Sequence, residues 1–191
     1  MYAGILGDAT FHAFCLQIDR DLAAQSRRHG CRHCGAALHS ANYLRHPRGL
    51  GPGGIDPGPE FGVCFSFCCS ADGCRRRHRA PSVRFLGPKV YLSVMVLLLA
   101  AMRQGPTRRT ARELKERFGV DRRTLVRWRE WWQSIVPRSE FWRRARGLLP
   151  TSLGEEDLPR LLIDRFTGSD LRERVLATLT FLSGLFSGFA F

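Results

Sequence analysis

Four cysteines, Cys31, Cys34, Cys69 and Cys74, restrict the fold of this chain more than any other feature. In Cys31-Arg-His-Cys34-Gly35 a tight turn can aim two thiolates at one ion while backbone N–H groups steady the sulfurs. Cys69-x4-Cys74 offers a second pair, with Gly73 easing its turn. Two distant turns must therefore meet. The spacing predicts a zinc ribbon, in which a structural Zn2+ held by four thiolates substitutes for the core that so small a module lacks. Cys68 competes with Cys69 for the third place. Cys69 is preferred because it continues the alternation of Phe65 and Phe67, whereas Cys68 would face the other way. His33 and His39 are the substitute ligands to weigh, and buried thiols without a metal are the alternative to the whole site. Cys15 and Cys64 read as small buried residues.

Seven cysteines are an odd number, and the N-terminus carries Asp8 and His12 with no basic n-region. Both points argue against an exported disulfide framework and for a cytoplasmic chain. A redox CxxC would sit in a βαβ context, which the flanking residues do not suggest. A short helix is expected over Asp19–Arg28, ending at Gly30. Around the cysteines, Ala37 to Arg45 can form a strand, and His46 to Pro59 is a Pro/Gly-rich loop. Phe61 to Phe67 predicts a second strand from the alternation of Phe61, Val63, Phe65 and Phe67. Ser82 to Leu86 is expected to close the ribbon as a third.

A second organised stretch runs from Pro106 to Ser134. Thr110 and Glu113 predict a capping box at a helix start. Leu114 and Phe118 share one face, Gly119 allows a sharp turn, and Val120 plugs it. Asp121 predicts the N-cap of a second helix, with Leu125, Trp128, Trp132 and Ile135 as its apolar stripe. Arg123, Val126 and Arg127 fall opposite that stripe, with Arg122 at its margin. Such a helix can lay arginines against base edges in the major groove of double-stranded DNA. Arg122, Arg123, Thr124 and Arg127 are the candidate base contacts. Arg108, Arg109, Arg75, Arg76 and Arg77 are the candidate phosphate contacts.

The charge distribution points the same way. Of 30 Lys/Arg and 17 Asp/Glu in the chain, residues 61–147 hold 20 and 6, so the whole excess surrounds this stretch and the remainder is close to neutral. Only Lys89 and Lys115 are lysines. Lys89 to Arg103 is an apolar helix whose uncharged part is too short to span a bilayer. It reads as the buried first helix of a three-helix unit. Pro137 ends the second helix of the pair, and Ser139 caps a short one. Glu155 to Phe166 and Ser169 to Leu185 predict two amphipathic helices. The uncharged run from Val175 to Phe191 is expected to pack on the domain or to pair subunits as a homodimer.

Catalysis is not expected. Cutting and joining DNA strands by two-metal chemistry needs three spaced carboxylates on two metal ions. Asp121, Glu130 and Glu140 lie within the helical stretch, and the later acids have no strand-rich domain to gather them. The P-loop, the dinucleotide fingerprint, HExxH and the zinc-deaminase signature are all missing.

The order of GCRRR…PSVRFLG, an apolar helix and GVDRRTLVRWREWW resembles small zinc-ribbon/helix-turn-helix proteins of bacterial insertion sequences, related to the N-terminal parts of transposases. The likeness covers roughly residues 31–146. Lys115 departs from it, standing where a small residue is usual. The resemblance implies a nucleoid-associated protein that binds element DNA and assists or regulates transposition, with a transposase as a possible partner. The alternative is an adaptor whose ribbon docks a transposase or polymerase. The expected fold is α+β, mainly α: an N-terminal segment (1–30), a zinc-ribbon module (31–87), a helix-turn-helix domain (88–147) and a C-terminal helical segment (148–191).

Overall fold

The computed structural model describes residues 2–49, 58–86, 91–102, 107–147 and 158–186. A single turn of helix, Tyr2–Leu6 (α1), leads to Asp8. The Asp8 carboxylate accepts from the N–H groups of Thr10 and Phe11 at 2.9 and 3.3 Å and so caps the longest element, Ala9–His29 (α2). The helix starts well before the expected Asp19. Its buried face includes His12 and Asp19, polar residues that interrupt the apolar periodicity.

Among the described residues five short strands follow: Leu38–Ser40 (β1), Tyr43–Leu44 (β2), Val63–Cys64 (β3), Ser66–Cys69 (β4) and Arg77–Arg79 (β5). β4 lies between β1 and β5 in an antiparallel sheet, with Leu38 opposite Cys69 and Cys68 opposite Arg77. β2 and β3 form a separate antiparallel pair. Two expectations are corrected here. The third strand is Arg77–Arg79, within the basic run, and Ser82–Leu86 contributes only a bridge from Phe85 to Leu92. Phe61 lies not in a strand but in a 3-10 turn, Pro59–Gly62, where it is 1% exposed. The expected strand Ala37–Arg45 is also interrupted: Ala41 N–H and Asn42 Oδ1 both turn to the backbone of Ser66, at 2.8 and 3.1 Å.

Every residue of the next helix, Ser93–Ala100 (α3), is buried, so it has no solvent face. The helices Arg108–Phe118 (α4) and Arg122–Glu130 (α5) follow one another across a short turn, and α5 packs on α3. The cap of α4 is Thr107 rather than Thr110: its hydroxyl accepts from Thr110 N–H at 3.2 Å, and Glu113 turns to Arg109 instead of back to the cap. Gly119 ends α4 at φ 65°, ψ 20°, a left-handed conformation that costs glycine little. Its N–H reaches Lys115 O at 2.9 Å, and Val120 is fully buried beneath the turn. Lys115 itself is exposed. Asp121 caps α5 as expected, accepting from Thr124 N–H at 2.7 Å. That bond to the ionised form holds its carboxyl below the usual carboxylate range.

Past α5 the helix widens into a π turn, Trp131–Ile135, closed by Val136 N–H to Trp131 O at 3.0 Å. The wider turn advances the phase by one residue. Val136 therefore takes the buried place and Ile135 is 55% exposed, against the expected stripe. Leu125, Trp128 and Trp132 stay inside, and Trp132 Nε1 donates to Val96 O at 3.1 Å, fixing α5 to α3. Ser139 caps Glu140–Arg146 (α6) and buries Trp142; the side chain of Phe141 lies outside the described residues. Arg160–Arg165 (α7) and Leu171–Phe186 (α8) are the last described elements. The expected start of α7 at Glu155 and the end of the chain past Phe186 lie outside the described residues. Val175, Leu179 and Leu182 enter the main core, so the apolar face of α8 is covered within the chain. The fold is α+β, mainly α. No helix among the described residues is long and apolar enough to cross a membrane.

A buried ion pair joins the parts. Arg84 and Asp19 meet at 2.7 Å with side chains 1% exposed. Asp19 also accepts from Ser82 Oγ at 2.5 Å and Val83 N–H at 2.6 Å. Arg84 donates to Phe61 O and to Val63 O and lies over the rings of Phe61, Phe65 and Phe85. Burial pushes the Asp19 carboxyl up, while Arg84, Ser82 and Val83 pull it back. Asp19→Ala strands a buried guanidinium, and the expected loss in urea unfolding is about 3–5 kcal/mol. Asp19→Leu combined with Arg84→Met should cost less than either single change.

His12 is another buried polar group, 2% exposed, with Nε2 at 3.0 Å from Leu6 O. Burial holds it below the usual histidine range, although the Leu6 carbonyl and Asp8 oppose this. In the unfolded chain a histidine titrates near about 6.5, so the unfolded state binds the proton first as pH falls. Stability should drop as pH falls through about 6.5 toward the folded value, and His12→Gln should remove that part of the slope in denaturation midpoints measured from about pH 7.5 to 5.

Candidate metal centre and basic face

The first thiol pair is held by the end of α2. Gly30, at φ 73°, carries the chain off the helix, and a Cβ there would lie 2.8 Å from Gly35 O. Only a glycine lets the following turn close against the helix end. Cys31 N–H then bonds Ala36 O, and Gly35 N–H bonds Cys31 O, both at 2.8 Å. The second pair uses the same device: Cys69 N–H bonds Arg76 O and Arg75 N–H bonds Ala71 O, both at 3.0 Å. Arg75 has φ 46°, close to the 73° of Gly35, and occupies a left-handed position without being glycine. Cys69 ends β4 whereas Cys74 sits on the turn, so the longer Cys69-x4-Cys74 spacing still brings both sulfurs to one point.

The ligand atoms of Cys31, Cys34, Cys69 and Cys74 all lie within 4.8 Å of one another. Cys31 Sγ is 3.7 Å from Cys74 Sγ, and Cys34 Sγ is 3.4 Å from Cys69 Sγ. A tetrahedral ion with metal–sulfur bonds of about 2.3 Å sets its sulfurs about 3.8 Å apart. The four thiols therefore fit a single metal ion. Cys68, the competitor, is excluded: its Sγ turns to Arg75 O at 3.5 Å. His33 and His39 are exposed and outside the cluster.

Charge explains why this cluster suits a cation. Desolvation opposes ionisation of Cys31, but the N–H groups of His33 and Cys34, with the Cys34 thiol and the His78 ring, outweigh it and hold Cys31 at about 5. Cys69 is pushed up to about 12, first by burial, with Ala71 N–H opposing and the neighbouring thiols adding to it. One thiolate is readily accommodated, and four need a positive ion among them. The His78 ring, with Nε2 at 3.2 Å from Cys31 Sγ, was missed by sequence reasoning. Its place three residues beyond Arg75 in β5 could have suggested it as a partner to a ligand sulfur. Across the top, Arg76 reaches His33 Nδ1 at 3.4 Å and ties the two turns together.

The basic residues form separate exposed groups. Arg75, Arg76 and Arg77 are exposed beside the thiols, and Arg75 faces Asp72 at 3.9 Å. Arg108 and Arg109 are exposed in the first turn of α4, where Arg109 pairs with Glu113 at 3.2 Å. On α5, Arg122, Arg123, Val126 and Arg127 are exposed. Thr124 departs from the expectation: it is 3% exposed, because the capping turn at Asp121 rotates it inward. Its Oγ1 accepts from Arg127 Nη2 at 3.2 Å, so it seats that arginine instead of facing solvent.

Cys69→Ser should lose a bound metal ion and lower the melting temperature of the thiol module, whose metal contributes on the order of 10 kcal/mol. Cys68→Ser should keep it, as read by elemental analysis of purified protein; equal loss in both variants would refute this ligand set. No protein-family model, curated protein or solved structure matches the chain.

Proposed function

We propose that the chain is a zinc-stabilised protein that binds double-stranded DNA through α5. The observation that carries this reading is the two-sidedness of that helix. Leu125, Trp128 and Trp132 anchor it in the core, while Arg122, Arg123, Val126 and Arg127 stand exposed on the other side. Arginines can bond guanine O6 and N7 together, and an exposed valine can meet a thymine methyl group. Arg108 and Arg109 supply charge at the start of α4, and Arg75, Arg76 and Arg77 supply it on the sheet module, as phosphate contacts.

The ion is zinc on this reading, because a closed set of four thiolates leaves no open position for substrate. Iron also suits four thiolates, and elemental analysis separates the two. The role is structural, and the protein is not an enzyme. By its resemblance to insertion-sequence proteins it serves as an accessory or regulator of transposition in a bacterial cell.

Combining Arg123→Ala with Arg127→Ala should weaken duplex binding by roughly tenfold to a hundredfold for each base pair that is no longer read, measured by fluorescence anisotropy at fixed salt. Substituting Arg108 and Arg109 should weaken all sequences alike and flatten the salt dependence. Unchanged affinity in both would favour the adaptor reading.

A further inference from the structure

An open cleft of about 340 Å³ lies between the C-terminal half of α2 and the edge of the sheet, beside the metal centre. Its size falls at the lower end of the range for small-ligand sites, about 300–1,000 Å³. Four basic residues line it, His29, Arg32, His78 and Arg79, from three places in the chain, and the Arg79 guanidinium also bonds Tyr43 Oη. Among the described residues, no aspartate or glutamate does. Leu22, Leu38 and Pro81 supply apolar wall. The carbonyls at the helix end would repel an anion, but several are already occupied. His29 Nδ1 takes Gln25 O at 2.8 Å, Ser26 Oγ takes Leu22 O at 2.9 Å and Gly30 N–H takes Arg27 O at 3.3 Å.

We infer that this cleft binds a nucleoside phosphate, its phosphate between Arg32 and His29 and its base against Leu22, Leu38 and Pro81. Cationic side chains over one part and aliphatic surface over another suit a ligand with an anionic and a flat apolar end. The site is separate from α5, and its occupancy does not depend on duplex binding. His78 both lines the cleft and touches Cys31 Sγ, so a ligand here sits one side chain from the metal ligands. The nucleoside phosphate can come from a free nucleotide or from an unpaired nucleotide of a strand.

The test uses the full chain with metal bound and three probes: adenosine 5′-monophosphate, inorganic phosphate and a 5′-phosphorylated single-stranded oligonucleotide. Calorimetric titration should show the nucleotide binding at least tenfold tighter than inorganic phosphate. Arg32→Ala should weaken it about tenfold, and Gln25→Trp, which places a ring in the cleft from an exposed helix position, should abolish it with metal content unchanged. Tighter binding of the oligonucleotide than of the free nucleotide assigns the site to a strand; the reverse assigns it to a free nucleotide. Arg123→Ala with Arg127→Ala should leave nucleotide binding intact, which separates failure of this site from failure of duplex recognition. Equal affinity for inorganic phosphate and nucleotide, or undiminished binding by Gln25→Trp, overturns the inference.

Discussion

The contact between Asp19 and Arg84 holds two differently built halves in one register. A sheet module pinned by thiols and a largely apolar helical core have little in common. Arg84 reaches both: it bonds Asp19 of α2, takes carbonyls at Phe61 and Val63, and is enclosed by three aromatic rings. Buried charges are tolerated only when their hydrogen-bonding capacity is met, and here both members meet it. The geometry is directional in a way that apolar contact is not. It fixes how far α2 slides and how the segment from Ser82 to Phe85 turns, and so where Gly30 delivers the first thiol pair.

α2 links the two halves. Its first turns lie on the main core through Phe11, Cys15 and Leu16, and Ala23 belongs to the smaller cluster around Cys31, Leu38, Phe67 and Cys69. Phe65 touches both clusters. The thiol site is therefore not a bead on a tether. Its first pair follows directly from the end of a helix whose start is buried elsewhere.

Much of this was readable from residue order, and the exceptions have physical causes. The thiol set was legible because ligand spacing is a local signature and because Cys69 kept the phase of Phe65 and Phe67. Gly119 and Asp121 were legible because their turn and cap chemistry does not depend on the rest of the fold. The start of α2 was hidden by His12 and Asp19, polar residues whose partners lie at Leu6 and Arg84. β5 was hidden because Arg-His-Arg has no apolar alternation; its order comes from pairing with β4. Thr107 displaced Thr110 as the cap, since both are threonines and only the chain path chooses between them. Ile135 and Val136 exchanged places through a single widened turn, a shift that no fixed helical period can anticipate.

The all-round burial of α3 has a consequence for synthesis. The helix touches α1, α5 and α8, and α8 lies roughly seventy residues further along the chain. During translation this eight-residue apolar segment stays incompletely screened until its last wall leaves the ribosome. A nascent chain stalled before residue 171 would have α1 and α5 against that segment but would leave its α8 side open. The helix α8 thus acts as a delayed cover, closing one side of an apolar segment made long before it.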